Sequence, residues 1–448
     1  METEEKPKRA FLVGIRDGKT SKIESESLTG ELAGLAETLG LEIAGGETVH
    51  IREHTAQYGM GTGKAEELAA KAAELAVDCI VFDRDISPSQ QRNWEKLCKV
   101  AAVDRQELII QIFAGRAKTR EAELQVALAE LAYSLPRLSH KYIDLSRQRG
   151  GRYGTKGSGE TRLETDRRLV LQRIQQLKGE LEDVRKQRSV QRQRREKAAI
   201  PSCALVGYTN AGKSSLLNAL TLSSHKAGSP GAFVEDKLFA TLDASVRRME
   251  TEQGRPLLLV DTVGFIRRLP HSLVDAFRST LEEAALSDIL LHVIDASDPS
   301  AEQYYTTTME VLRDLGADQS PMIIVLNKID RIGGAGEGIH EVKAGEEGER
   351  NREMGEGQIT ALQAKFPGSI PVSAKDGTGL EELKRRIGLL VSDSRLRFRF
   401  PLDRHDLPAL LYRSGTVLSE SYDDTGITVE ARVEKRVAEM LREFVAEA

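Results

Sequence analysis

From Ala10 to about Ala117, short apolar runs alternate with helical stretches: Phe11 to Ile15, Leu28 to Leu39, Lys64 to Leu75 and Cys79 to Phe82. Strands alternating with helices predict an α/β domain built on a largely parallel sheet. Ser87-Pro88-Ser89-Gln90 combines a capping serine, a proline at the first helical position and a glutamine that reaches back, so it predicts a capping box ahead of the Trp94 helix. Helical periodicity resumes from Glu121 to Tyr133 and is expected to break near Pro136. The stretch 149–160 holds too many glycines for regular structure, and its basic side chains mark it as a loop. Thr161 and Glu164 then cap a long helix in which Val170, Ile174, Leu177, Leu181 and Val184 recur at four-three spacing, the seam of a coiled-coil hairpin.

Pro201 ends that helix, and a second α/β unit follows. Its strand-like runs are Cys203 to Val206, Leu257 to Val260, Ile289 to Ile294, Met322 to Leu326 and Ile370 to Val372. Between Ile332 and Gln358 the chain is rich in Gly, Glu and Lys with almost no bulky apolar residues, which predicts a disordered insertion. After Val391, the Phe398-Arg399-Phe400 alternation, a turn at Asp424-Thr425-Gly426 and a helix bearing Val437, Met440, Leu441 and Phe444 predict a small α+β unit. The expected domains are 1–120, an N-terminal α/β domain; 121–200, glycine loop and helical hairpin; 201–395, the second α/β domain; and 396–448, the C-terminal α+β domain.

With 448 residues and 40% hydrophobic content, the chain has enough apolar material for more than one core. The formal net charge of -5 means that affinity for nucleic acid has to come from a local patch. Such a patch follows Val184: Arg185, Lys186, Arg188, Arg192, Arg194, Arg195 and Lys197, read either as a solvated helix face or as an RNA-phosphate contact. Cys79, Cys98 and Cys203 form no C-x-x-C pair and sit among apolar residues, which fits a reducing compartment. Met1 to Lys8 is charged, and no apolar run approaches the roughly 20 residues of a membrane span, so a cytoplasmic location is expected.

The chemistry concentrates in the second unit. Gly207-Tyr208-Thr209-Asn210-Ala211-Gly212-Lys213-Ser214 fits G-x-x-x-x-G-K-[ST], directly after an apolar strand and before a helical stretch. In such a loop backbone amides surround the phosphates, Lys213 reaches the β and γ phosphates, and the Ser214 hydroxyl ligates Mg²⁺. Asp261-Thr262-Val263-Gly264 emerges from a strand end, where Asp261 can hold the Mg²⁺ shell through water and the Gly264 amide can meet the γ-phosphate. The carboxylate of Asn327-Lys328-Ile329-Asp330 matches the paired N–H donors of guanine, which adenine lacks, and a buried carboxylate left unpaired penalises ATP. Ser373-Ala374-Lys375 can place a backbone amide on the guanine O6. Phe239-Ala240-Thr241-Leu242-Asp243 lies between the phosphate loop and Asp261, and its Thr241 is the expected switch threonine on Mg²⁺. The expected catalytic residues are Lys213, Thr241 and Gly264. Phe265 stands where Ras-like enzymes place a water-orienting glutamine, which predicts slow intrinsic hydrolysis of GTP.

These motifs, with the glycine loop leading into 159–168 and the stretch 87–93, resemble the HflX family of translational GTPases over roughly residues 10–395. The fold class expected is α/β: a P-loop GTPase domain with an N-terminal α/β domain, a helical hairpin linker and a small C-terminal α+β domain. The resemblance implies binding to the large ribosomal subunit and its RNA, stimulation by it, and in some members the splitting of stalled ribosomes under stress. The chain departs from the family pattern at Ser158, where proline is usual, at Arg152-Tyr153, and in its 332–358 insertion.

A second glycine-rich turn, Gly59-Met60-Gly61-Thr62-Gly63-Lys64, precedes a helix and is a candidate second nucleotide site, read on Gly59, Gly61, Gly63 and Lys64. The family is described as binding ATP in this domain; the other reading is a glycine turn that starts a helix. Two rival functions stay open on sequence alone: a GTP-regulated binding switch with negligible turnover, and an ATP-driven RNA remodeller. The chain is expected to be a monomer.

Overall fold

The computed structural model describes residues 8–18, 20–141, 158–197, 200–221, 239, 245–251, 256–268, 284–332, 346–391, 394–402, 404, 406–423, 426–433 and 435–446. The first sheet contains β1 (Arg9–Arg16), β2 (Glu42–His50), β3 (Cys79–Phe82) and β4 (Ala101–Asp104), all parallel, in the order β2-β1-β3-β4. Helices α1 (Lys22–Thr38), α2 (Thr62–Glu74) and α3 (Pro88–Cys98) make the crossovers that parallel pairing requires, and α4 (Arg105–Arg116) follows the last strand. Helix starts are set by side chains: Ser21 accepts from the Glu24 amide, Asp104 from the Glu107 amide, and Ser87 with Gln90 forms the expected reciprocal box. Trp94 of α3 is buried between Phe82 and Tyr58, and its indole N–H donates to the Tyr58 carbonyl at 3.1 Å.

Helix α5 (Arg120–Lys141) runs through Pro136, where the sequence suggested a break. The turn is held from the side: the Arg137 guanidinium donates to the carbonyls of Tyr133 and Ile86 and to the Asp104 carboxylate. Helix α6 (Ser158–Lys197) begins three residues ahead of Thr161, so that residue lies inside the helix and does not cap it. The two helices pack as a hairpin, with Leu177 and Leu181 buried against Leu124 and Val184 beside Leu128 and Leu131. The glycine loop before residue 158 lies outside the described residues.

The second sheet has six strands in the order β10-β9-β8-β5-β7-β6. These are β5 (Ser202–Gly207), β6 (Ser245–Glu250), β7 (Pro256–Asp261), β8 (Ile289–Asp295), β9 (Met322–Asn327) and β10 (Ile370–Pro371). All pairings are parallel except that of the edge strand β6 with β7. Around it lie α7 (Lys213–Thr221), α8 (Ala301–Asp314), α9 (Glu346–Lys365) and α10 (Leu380–Val391). The chain moves from β5 toward β7 on one side and β8 on the other, so the loop after β5 opens at the topological switch point, where α/β sheets bind ligands. Helix α9 corrects part of the expected disorder: 346–358 is helical, continuous with a half anchored by Leu362 and the adjoining Phe366 against Tyr305 and Ile329. A docked end lets the helix propagate backward through a sequence that would not nucleate one. Residues 333–345 lie outside the described residues.

The last unit is an antiparallel sheet, β11 (Ser394–Phe400), β12 (Gly415–Asp423) and β13 (Gly426–Val433), ordered β11-β13-β12. Phe398 and Phe400 are fully buried beneath α11 (Asp406–Ser414) and α12 (Lys435–Met440), as their alternation predicts. Asp424 and Thr425 lie outside the described residues, while the register Asp423 to Gly426 leaves two residues for the turn. The final helix is shorter than expected: α12 stops at Met440 and a 3-10 turn, Arg442–Phe444, follows.

Candidate functional site

The phosphate loop is shaped by contacts that only glycine permits. Gly207 has φ +143° and Gly212 φ +87°, and a Cβ would meet the Val293 carbonyl oxygen at 2.2 Å and Asn327 Nδ2 at 2.3 Å respectively. Lys213 starts α7 and is buried, with Nζ donating to the carbonyls of Gly207 (3.1 Å) and Tyr208 (2.8 Å). Burial pulls its titration down to about 8, with Asp261 acting in the opposite direction. The Ser214 hydroxyl donates to Asp261 Oδ2 at 2.6 Å, so two of the three expected magnesium residues lie side by side.

The D-x-x-G segment is stitched to this loop. The Thr209 amide donates to the Phe265 carbonyl at 2.7 Å, and the Phe265 amide to the Gly207 carbonyl at 3.0 Å. Gly264 passes so close that a Cβ there would lie 2.7 Å from Thr209 Cα and 2.9 Å from Lys213 Nζ. Thr262 is buried with its hydroxyl on the Leu205 carbonyl, and Val263 packs in a core, so both side chains are structural. Phe265 also points into a core, beside Val206, Val260 and Leu290. Thr241, Ala240, Leu242 and Asp243 lie outside the described residues; Phe239 is buried edge-on against Phe113 of α4, centroids 4.6 Å apart.

On the base side, buried Asn327 ties two loops together. Its Nδ2 donates to the Ala211 carbonyl at 2.9 Å, and its Oδ1 accepts from the Ala374 amide at 3.2 Å. Asp330 Oδ1 accepts from the Ser373 hydroxyl at 2.8 Å, which fixes its carboxylate. Lys328, at φ +63°, extends to Asp295 Oδ2 at 2.8 Å. Ile329 packs beside Ile332 and Tyr305, and Lys375 is exposed. The fold therefore brings the phosphate, D-x-x-G and base-reading segments together at the carboxyl ends of the strands.

One side chain of the motif leaves the loop. Tyr208 belongs to the phosphate loop by sequence, yet its side chain turns toward the first sheet, where its hydroxyl donates to Glu31 of α1 at 2.7 Å. No local pattern marks Glu31; its partners are distant in sequence. The second glycine turn also differs from the first. Lys64 leaves the turn and binds Glu47 at 2.6 Å and Glu67 at 2.8 Å, which hold its ammonium protonated to higher pH.

Comparison with known proteins decides the family. Residues 26–114 match the family described as "GTP-binding GTPase N-terminal", 116–195 the "GTP-binding GTPase Middle Region", and 202–328 the "50S ribosome-binding GTPase". The GTPase HflX of Akkermansia muciniphila is 43% identical over 459 residues, covering 100% of this chain and 99% of the relative. The chain belongs to the HflX GTPase family. The GTPase HflX of Escherichia coli K12 is 37% identical over 380 residues, covering 84% of this chain and 83% of the relative. A GTP-binding protein of Sulfolobus solfataricus, solved with GDP, is 26% identical and covers 85% of this chain and 98% of its own, with a TM-score of 0.42. Like its family, this HflX chain is a GTPase, with a P-loop domain, an N-terminal α/β domain, a helical region and a C-terminal domain. Among the described residues no helix is long and apolar enough to cross a membrane.

Proposed function

We propose that this HflX chain binds GTP with Mg²⁺ in the 207–214 loop, hydrolyses it slowly alone and is stimulated by the large ribosomal subunit, in ribosome rescue or recycling under stress. The observation that carries the site is Asn327, which joins the phosphate loop to the Ala374 loop and so assembles one cradle from three motifs. Lys213 neutralises the β and γ phosphates, the loop amides wrap them, and the Gly264 amide meets the γ-phosphate. Asp330 reads the guanine edge, and the loop of Ser373, Ala374 and Lys375 closes over the base. The adjacent oxygens of Ser214 and Asp261 suit Mg²⁺, a hard cation that takes few protein oxygens alongside phosphate and water. Bound there, the ion would neutralise developing phosphate charge, with Ser214 and Thr241 as its protein ligands and Asp261 holding its shell through water.

Slow intrinsic turnover follows from Phe265: its ring cannot orient water by hydrogen bonding, and here it is packed into the core. The ribosomal contact is assigned to the hairpin and to the basic run 185–197 at the end of α6. In this reading the domains divide at 120, 200 and 395, and the protein works as a cytoplasmic monomer.

GTP turnover by the full chain, alone and with isolated large subunits, small subunits and whole ribosomes, tests this. Large subunits should raise the rate at least about tenfold, an effect of more than 1.4 kcal/mol on the barrier. Turnover of tens per second without ribosomes would sink the slow-enzyme reading; no response to any ribosomal particle would leave a GTP-regulated binding switch.

A further inference from the structure

Three groups converge on Glu31, whose side chain is 4% exposed. Its Oε1 accepts from the Tyr208 hydroxyl at 2.7 Å and from Arg105 Nη2 at 2.5 Å. Its Oε2 accepts from Arg267 Nε at 3.0 Å. The Arg267 backbone amide returns to the Tyr208 hydroxyl oxygen at 2.8 Å, and Arg105 also reaches the Arg267 carbonyl at 3.1 Å. Tyr208 is therefore both donor and acceptor in a closed ring of contacts, and its ring stacks on Tyr304 with centroids 3.8 Å apart. Burial beside Glu31 raises its ionisation far above the usual phenol range, so it stays a hydroxyl. The next residue repeats the pattern: Arg268 Nη1 lies 3.7 Å from the buried Asp83 carboxylate at the end of β3.

These partners belong to the nucleotide machinery. Tyr208 contributes a carbonyl to Lys213 and is followed by Thr209, whose amide is bonded to Phe265. Arg267 comes three residues after Gly264. A single carboxylate from α1 thus ties the backbone that wraps the phosphates to the segment that reads the γ-phosphate. We infer that Glu31 is a positioning residue for the GTP site, supplied by the N-terminal domain, and that it strengthens nucleotide binding by holding Tyr208 and Arg267 in one arrangement. The inference rests on the proposed reading of residues 207–214 as the GTP site.

Titration of the full chain with N-methylanthraniloyl-GDP tests it, using Glu31→Gln, Tyr208→Phe, the double variant and Trp94→Phe. Trp94→Phe loosens the same domain in a core remote from Glu31 and reports a merely structural loss. Glu31→Gln should weaken binding about tenfold and Tyr208→Phe about threefold, with the double variant no weaker than Glu31→Gln alone, because the two act through one contact. Trp94→Phe should stay within about twofold of the parent. A folded Glu31→Gln within twofold of the parent, effects that multiply, or equal weakening by Trp94→Phe would overturn the inference. If Glu31→Gln does not fold, Tyr208→Phe decides: threefold weakening supports the inference, and unchanged affinity overturns it. Failure of the parent to bind the probe would instead overturn the GTP-site reading.

Discussion

Two glycine turns lead from a parallel strand into a helix in this molecule, and each offers a lysine in the first helical turn. Around Gly207 to Lys213 the surrounding strands press so closely that a Cβ would strike the β8 backbone and the β9 asparagine. Around Gly61 and Gly63 an added Cβ meets nothing within 4 Å. Lys213 is buried and shared between two loop carbonyls; Lys64 lies on the helix surface between two carboxylates that already balance its charge. The same residue types therefore stand in two different settings. One turn is enclosed by neighbouring strands with its lysine on loop carbonyls, and the other is open with its lysine clamped by carboxylates.

Substituting the two lysines gives the largest expected contrast. Lys213→Ala should reduce kcat/KM for GTP by about 10²–10³-fold, the usual consequence of removing one preorganised electrostatic group. Lys64→Ala should leave both GTP and ATP turnover within about twofold, since its ammonium is engaged by Glu47 and Glu67. Selective loss of ATP turnover in Lys64→Ala would instead establish the 59–64 turn as a second nucleotide site.

A smaller contrast is expected at the glycines. Gly212→Ala forces a side chain into left-handed backbone and onto Asn327, so nucleotide affinity should fall about tenfold or more. Gly61→Ala, at an extended N-cap position, should cost less than about 1 kcal/mol in thermal unfolding and leave nucleotide affinity unchanged. Equal losses from the two substitutions would erase the distinction between closed and open turns.

The smallest effect concerns the aspartates that end strands in the two domains. Asp261 meets the Ser214 hydroxyl, whereas Asp104 caps α4 and pairs with Arg137, so one serves the site and the other the fold. Burial pushes the Asp104 carboxyl up to about 6 from an ordinary 3.8. The folded state then keeps a proton that the unfolded state has already released, so this group's contribution to stability falls as pH rises from about 4 to 6. Asp104→Asn should flatten that part of the stability profile in denaturant titrations at stepped pH. A variant profile parallel to the parent's would remove Asp104 as its source.

Much of this was legible along the chain, because nucleotide chemistry demands particular residues at fixed spacing. The segments of the phosphate loop, Asp261, Asn327 and Ser373, which the fold brings together, are legible that way, as are the strands with continuous apolar runs and the Ser87 box. Strand β6 escaped because it is an edge: its outward residues are charged, and Val246 is half exposed, so no apolar run announces it. The continuation of α5 through Pro136 depends on Arg137 bonding to groups outside its helix. Glu31 escaped for a related reason: its bond to Arg267 spans 236 positions, and the burial that gives it meaning exists only after folding.

The core that surrounds Phe239 has a mechanical consequence. Tyr208, Phe239, Val263 and Ile266 share one apolar cluster with Leu32, Ile109 and Phe113 of the first domain. On this side the core of the first domain is completed by residues of the second, so the two should melt in a single cooperative transition. Their slowest-exchanging amides should then open together.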